Sequence, residues 1–75
     1  MTLKEQINEI INTRQSITLT MLDVSVMKEG FRPECHILIN NLTELINEGE
    51  VVELFTSCHG KSRHFYFPKG TEFKV

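Results

Sequence analysis

Two adjacent Cys-His pairs, Cys35-His36 and Cys58-His59, with His64 a little further on, are the residues of this 75-residue chain whose types invite metal chemistry. Thiolate and imidazole are zinc's preferred donors, and two of each could close a tetrahedron. The spacing points the other way. Structural zinc sites set paired ligands two to four residues apart on a turn, and adjacent Cys-His pairs do not have that form. Cys35 also falls in an apolar stripe, where it counts as a small hydrophobe, and Cys58 falls on a loop tip. Catalytic arrangements are weaker still. The acids fall on separate helix faces, no glycine-rich phosphate loop occurs, and neighbours such as Cys58 and His59 rarely meet in the geometry of a thiolate pair. So short a chain also leaves little pocket volume. The expectation is a non-enzyme with no metal and no cofactor.

The remaining charge is modest and unevenly placed. Eight Lys and Arg against ten Asp and Glu give a net charge of −2, and the isoelectric point is about 5.9. That counts against a whole-surface attraction to nucleic acid, but a local patch depends on where the charges fall. No acid occurs between Thr56 and Gly70, a stretch that holds Lys61, Arg63, Lys69, His59 and His64. Hydrophobic residues make up 40% and charged residues 24%, as in an ordinary folded domain. At this length folding buries roughly 60% of the unfolded surface, room for one core only. No apolar run approaches the roughly 18 residues that span a bilayer, and Met1-Thr2-Leu3-Lys4-Glu5 lacks the order of a signal peptide. A cytoplasmic location with reduced thiols is expected.

The elements that must position these residues follow from periodicity. Thr2 and Glu5 have capping-box spacing, and Leu3, Ile7, Ile10 and Ile11 form a helical stripe behind them. The polar run Asn12 to Ser16 ends this first helix. Ser16-Ile17-Thr18-Leu19 reads as a very short strand. A second helix follows, capped by Thr18 or Thr20, with Leu22 and Val26 buried, Met27 as a further core candidate, and Gly30 as its stop. Pro33 fits the first position of a third helix, which runs to Glu48 with Cys35, Leu38, Leu42, Leu45 and Ile46 inward and Gly49 beyond. Glu50 to Phe55 and Arg63 to Phe67 then read as paired strands, joined through the turn-rich Ser57 to Ser62. Pro68 and Gly70 close the hairpin. The class is α+β, one domain over residues 1–75, with three helices followed by a two-stranded hairpin.

This order resembles the winged helix-turn-helix superfamily of small bacterial-type transcriptional regulators. The local likeness is Leu42-x-x-Leu45-x-x-x-Gly49-x-Val51, followed by Phe65-Tyr66-Phe67. It covers nearly the whole chain in element order and only a few, mostly core, positions in residues. The resemblance implies binding of double-stranded DNA, with the third helix in the major groove and the hairpin, or wing, on the backbone. Carried over by position, Arg32, His36, Ile37, Asn40, Asn41 and Glu44 lie on the reading side. Asn can pair bidentately with adenine and Arg with guanine. In the wing, Lys61, Arg63 and Lys69, with His59 and His64, would neutralise phosphates and make affinity fall with salt.

The third helix departs from a basic reading helix, since Glu34, Glu44 and Glu48 outnumber Arg32. With so little positive charge, a homodimer on a palindromic site is expected, its contact supplied by the first helix or by the tail near Phe73 and Val75. The alternative is a protein-interaction module on the same fold. It would use the acidic third-helix face with exposed Ile37 and Ile39 to modulate a partner protein. No membrane association is expected under either reading.

Overall fold

Among the described residues the chain forms three α-helices and a three-stranded antiparallel sheet, in the order α1 (Leu3–Arg14), β1 (Ile17–Thr18), α2 (Leu19–Lys28), α3 (Cys35–Asn47), β2 (Val51–Cys58) and β3 (Lys61–Pro68). The computed structural model describes residues 1–72, the side chain of Cys58 excepted. The tail residues Phe73 and Val75 lie outside that range. Among the described residues, no helix is long and apolar enough to cross a membrane.

The first helix starts where its capping box places it. Thr2 N–H donates to Glu5 Oε1 at 3.0 Å, and Glu5 N–H donates to Thr2 Oγ1 at 3.2 Å. Those bonds, the backbone one first, hold the Glu5 carboxyl below the usual glutamate range. Thr18 caps α2 by accepting from the Met21 N–H at 3.4 Å. The third helix begins later than its proline suggests. Ile37 and Leu38 N–H both donate to the Glu34 carbonyl, so Glu34 is the N-cap and Pro33 lies outside the helix. At the far end Gly49, at φ +78, takes the left-handed conformation that turns the chain toward β2.

Ile7, Ile10 and Ile11 from α1, Leu22 and Val26 from α2, and Leu38, Leu42 and Leu45 from α3 meet Ile17, Val51 and Tyr66 of the sheet in one core. Leu3, Leu19, Phe31 and Ile46 pack on its edge. Two expected core members are elsewhere. Met27 lies on the solvent side of α2, about 140° around the helix from Leu22, and is exposed. Cys35 is exposed as well, because it occupies the first helical turn, one residue after the cap.

The hairpin is longer and its turn tighter than the sequence pattern suggests. Only His59 and Gly60 connect the strands, at φ +53 and +75. Two successive left-handed residues form the turn whose twist suits a two-residue hairpin, and Gly adopts that geometry at no steric cost. Thr56–Arg63 and Ser57–Ser62 therefore pair as strand. Apolar alternation could not reveal them, because this end of the hairpin projects beyond the core. The sheet has three strands instead of two. Ile17 pairs with Tyr66 and Thr18 with Phe65, giving the order β1-β3-β2.

Candidate nucleic-acid interface

The buried side of α3, Leu38, Leu42 and Leu45, fixes what its opposite side presents. At about 100° per residue, His36, Asn40, Thr43 and Asn47 line up across the helix from those leucines, and all four are exposed. This outward strip carries imidazole, amide and hydroxyl groups and no carboxylate. Thr43 and Asn47 were missing from the reading side drawn by position. Their signal was available, since 36, 40, 43 and 47 repeat the period of the core stripe half a turn away.

The acids of α3 lie on a flank. Glu44 and Glu48 turn toward α1, where the Lys4 ammonium stands 2.5 Å from Glu48 Oε2 and 3.9 Å from Glu44 Oε2. Its hydrogen bond to Glu48 raises the Lys4 pKa above the usual lysine value. Glu34 caps the helix start, and His36 Nδ1 lies 3.4 Å from its Oε2. The two asparagines differ. Asn41 is half-buried and donates its Nδ2 to the Ile37 carbonyl at 2.8 Å. Asn40 is exposed and makes no side-chain hydrogen bond among the described residues. Ile37 and Ile39 are both 41% exposed, but they stand about 160° apart around the helix and do not share a patch.

The hairpin sorts its cations by face and by end. Lys61 and Arg63 alternate onto the sheet face that points away from the core, beyond Phe65 and Phe67. His59 sits in the turn. His64 is on the other face, its ring 4.9 Å from Phe55 and its Nδ1 3.4 Å from Glu53 Oε2. Lys69 does not join them. It follows the opposite end of β3, roughly 27 Å of strand from Lys61, and its ammonium lies 3.7 Å from Glu50 Oε1. Arg32 is exposed in the segment before α3.

Two clefts connect these parts. One, of ≈530 Å³, is lined by Thr18, Leu19, Thr20 and Met21 with Ser62, Arg63 and His64. The other, of ≈280 Å³, is lined by Leu19, Thr20 and Asp23 with Pro33, Cys35 and Leu38. Leu19 and Thr20 belong to both, so the first turn of α2 sits between the first turn of α3 and the cationic half of β3. The helix dipole makes that turn locally positive; Arg63 adds a full positive charge on the side of the larger cleft, while the Asp23 carboxylate lines the smaller one. An anion is therefore favoured on the Arg63 side alone.

No protein-family model matches the chain, and no significant match occurs among curated proteins or solved structures. Among the described residues no three His, Cys, Asp or Glu side chains gather to hold a metal ion. The side chain of Cys58, which the sequence did not favour as a thiolate partner of His59, lies outside the described residues.

Proposed function

We propose that this chain is a winged helix domain that binds double-stranded DNA as a small transcriptional regulator. In this reading α3 enters the major groove, β2 and β3 form the wing on the backbone, and two copies occupy a palindromic site. The observation that carries it is the outward strip of α3, where His36, Asn40, Thr43 and Asn47 are exposed and none of the four is a carboxylate. Asn40 is the side chain best placed for adenine, having a free amide. Arg32 at the helix start and Lys61 and Arg63 on the wing supply phosphate contacts, and the first turn of α2 lies between them. Affinity for random duplex arises from those cations, and sequence preference from the strip.

Selection from a pool of randomised duplexes tests this reading. Enrichment of an inverted repeat, lost with Asn40→Ala, is expected. A pool that stays unenriched through successive rounds would remove DNA recognition as the function.

A protein partner remains the second reading, and a different surface now favours it. Met21, Val24 and Met27 are all exposed on the outer side of α2, three apolar side chains at helical spacing. A stoichiometric protein partner lost with Val24→Asp, and kept with Asn40→Ala, would support it.

A further inference from the structure

Strand β2 is an edge strand eight residues long, and among the described residues β3 is its sole neighbour in the sheet. Proteins guard such edges with lysine, proline, bulges or shortness. Between Val51 and Cys58 there is no lysine and no proline, the pairing with β3 runs without a bulge, and Glu53 is the single charge. Phe55 on this strand is 54% exposed.

The hydrogen-bond phase of the hairpin shows which backbone groups are left over. Lys69 N–H donates to the Glu50 carbonyl at 3.1 Å, so Glu50 and every second residue after it direct their backbone groups toward β3. Pro68, which has no N–H to give, falls opposite Val51 in the alternate, non-bonded class. Val51, Glu53, Phe55 and Ser57 therefore direct their N–H and C=O groups outward, away from β3.

We propose that this edge is an interface between two copies of the chain, paired antiparallel about a two-fold axis at Leu54. In that register Val51 bonds with Ser57 of the partner subunit, and Glu53 with Phe55 of the partner subunit. All four outward residues of each copy find a bonding partner. A two-fold placed on Phe55 instead would carry Val51 past the strand end and leave it unpaired. The Leu54 register also sets Leu54 against its symmetry mate, in line with Phe65 of each copy, so the half-buried residues Leu54 and Phe65 form one apolar row across four strands. Each Glu53 faces a phenyl ring, with its own His64 3.4 Å away, and the two carboxylates meet only diagonally. A symmetric contact of this kind closes on itself and exposes no further β2 edge. The proposal stands without the DNA-binding reading.

The test is disulfide trapping combined with sedimentation equilibrium. In a Cys35→Ser, Cys58→Ser background, Leu54→Cys is expected to cross-link into a covalent dimer under mild oxidation. Non-bonded antiparallel pairs bring Cα atoms to about 4.5 Å, within disulfide range. Val52→Cys and Thr56→Cys alone should not cross-link, while the two together should. The unmodified chain should sediment as a concentration-dependent dimer. Phe55→Pro removes an outward N–H without touching the hairpin bonds and should raise the dimer Kd by roughly tenfold or more. Because proline could also disturb the strand, N-methylation of Phe55 in a synthetic chain should give the same loss with unchanged circular dichroism. A monomer at all concentrations would overturn the proposal. So would a dimer that ignores both Phe55 changes, equal cross-linking at all three positions, or open-ended aggregation.

Discussion

Lys4 Nζ and Glu48 Oε2 are 2.5 Å apart although 44 positions separate them in the chain. The contact joins the first turn of α1 to the end of α3, with Glu44 on the same ammonium. Two of the three acids that argue against a reading helix are thus turned aside, and the one ammonium offsets half of their combined charge. Lys4→Gln should weaken DNA binding severalfold although Lys4 touches no base, because Glu44 and Glu48 would then act on the duplex unopposed. Thermal stability should change little, as expected of an exposed pair. Equal DNA affinity of the variant and the parent at low salt would refute this role.

Asn40 and Asn41 are neighbours with different fates. Asn40→Ala should lose about 1–3 kcal/mol of discrimination at one base pair, the range of a bidentate contact. Asn41→Ala removes a bond to its own helix and should leave sequence preference intact. Competition titrations with operator and scrambled duplexes would separate the two. Equal loss of preference in both variants would show that the Asn41 amide is not held back.

The core should respond to truncation as a single unit. Leu22 is fully buried between helices and sheet, and Leu22→Ala should cost about 2–5 kcal/mol. In a domain of this size each kcal/mol lowers the melting temperature by roughly 4–8 °C. Calorimetry would check it. Met27→Ala on the outer side of the same helix should shift the midpoint far less.

Much of this architecture is legible in the residues, and the failures have physical causes. Thr2 and Glu5 announce α1 because a capping box is a local device, complete within four residues. Leu38, Leu42 and Leu45 mark the buried side of α3 by period alone. The pairing of Ile17 with Tyr66 is not readable, since two residues of strand gain their meaning from a partner 49 positions away. The hairpin tip was hidden because His59 can adopt a left-handed conformation without the Asn-Gly signature. At the candidate site, Arg32, His36, Asn40, Lys61 and Arg63 are all exposed. Lys69 lies beyond the far end of β3 from Lys61, a separation the sequence hides because linear proximity to Arg63 says nothing about which end of a strand a residue occupies. The pairing of Glu44 and Glu48 with Lys4 was equally out of reach, being a contact between distant helices.

The turn offers its own check. His59→Asn should keep or raise stability, since Asn tolerates the left-handed region better than most residues. Gly60→Val should destabilise the hairpin, because a β-branched side chain is strained at φ +75. Hydrogen exchange of the strand amides would follow both. Unchanged protection in Gly60→Val would contradict the turn geometry.

Alkali should unfold this protein through its single tyrosine. Burial, and then the neighbouring Glu53 carboxylate, raise the Tyr66 pKa well above its ordinary value of 10.0. The folded state therefore favours the neutral phenol. That stabilisation is fully present below pH 10 and is lost as pH rises from there toward the folded value. Glu5 acts at the other limit: its lowered pKa gives stability present above about pH 4.5 and lost as pH falls through the folded value. Phenolate absorbance should appear only with the alkaline loss of circular dichroism. Smooth titration at the ordinary tyrosine pKa in a folded chain would contradict the burial of Tyr66.

The salt dependence of binding to a fluorescent duplex tests the central claim most directly. Arg32, Lys61 and Arg63 are the proposed phosphate contacts of each copy. At about −0.9 per phosphate, log K against log salt should fall with a slope of roughly −3 for one copy and twice that for a dimer. Arg63→Ala should reduce the slope by about one per copy without altering base preference. An absence of binding to any duplex at low ionic strength, or a slope near zero, would contradict the account.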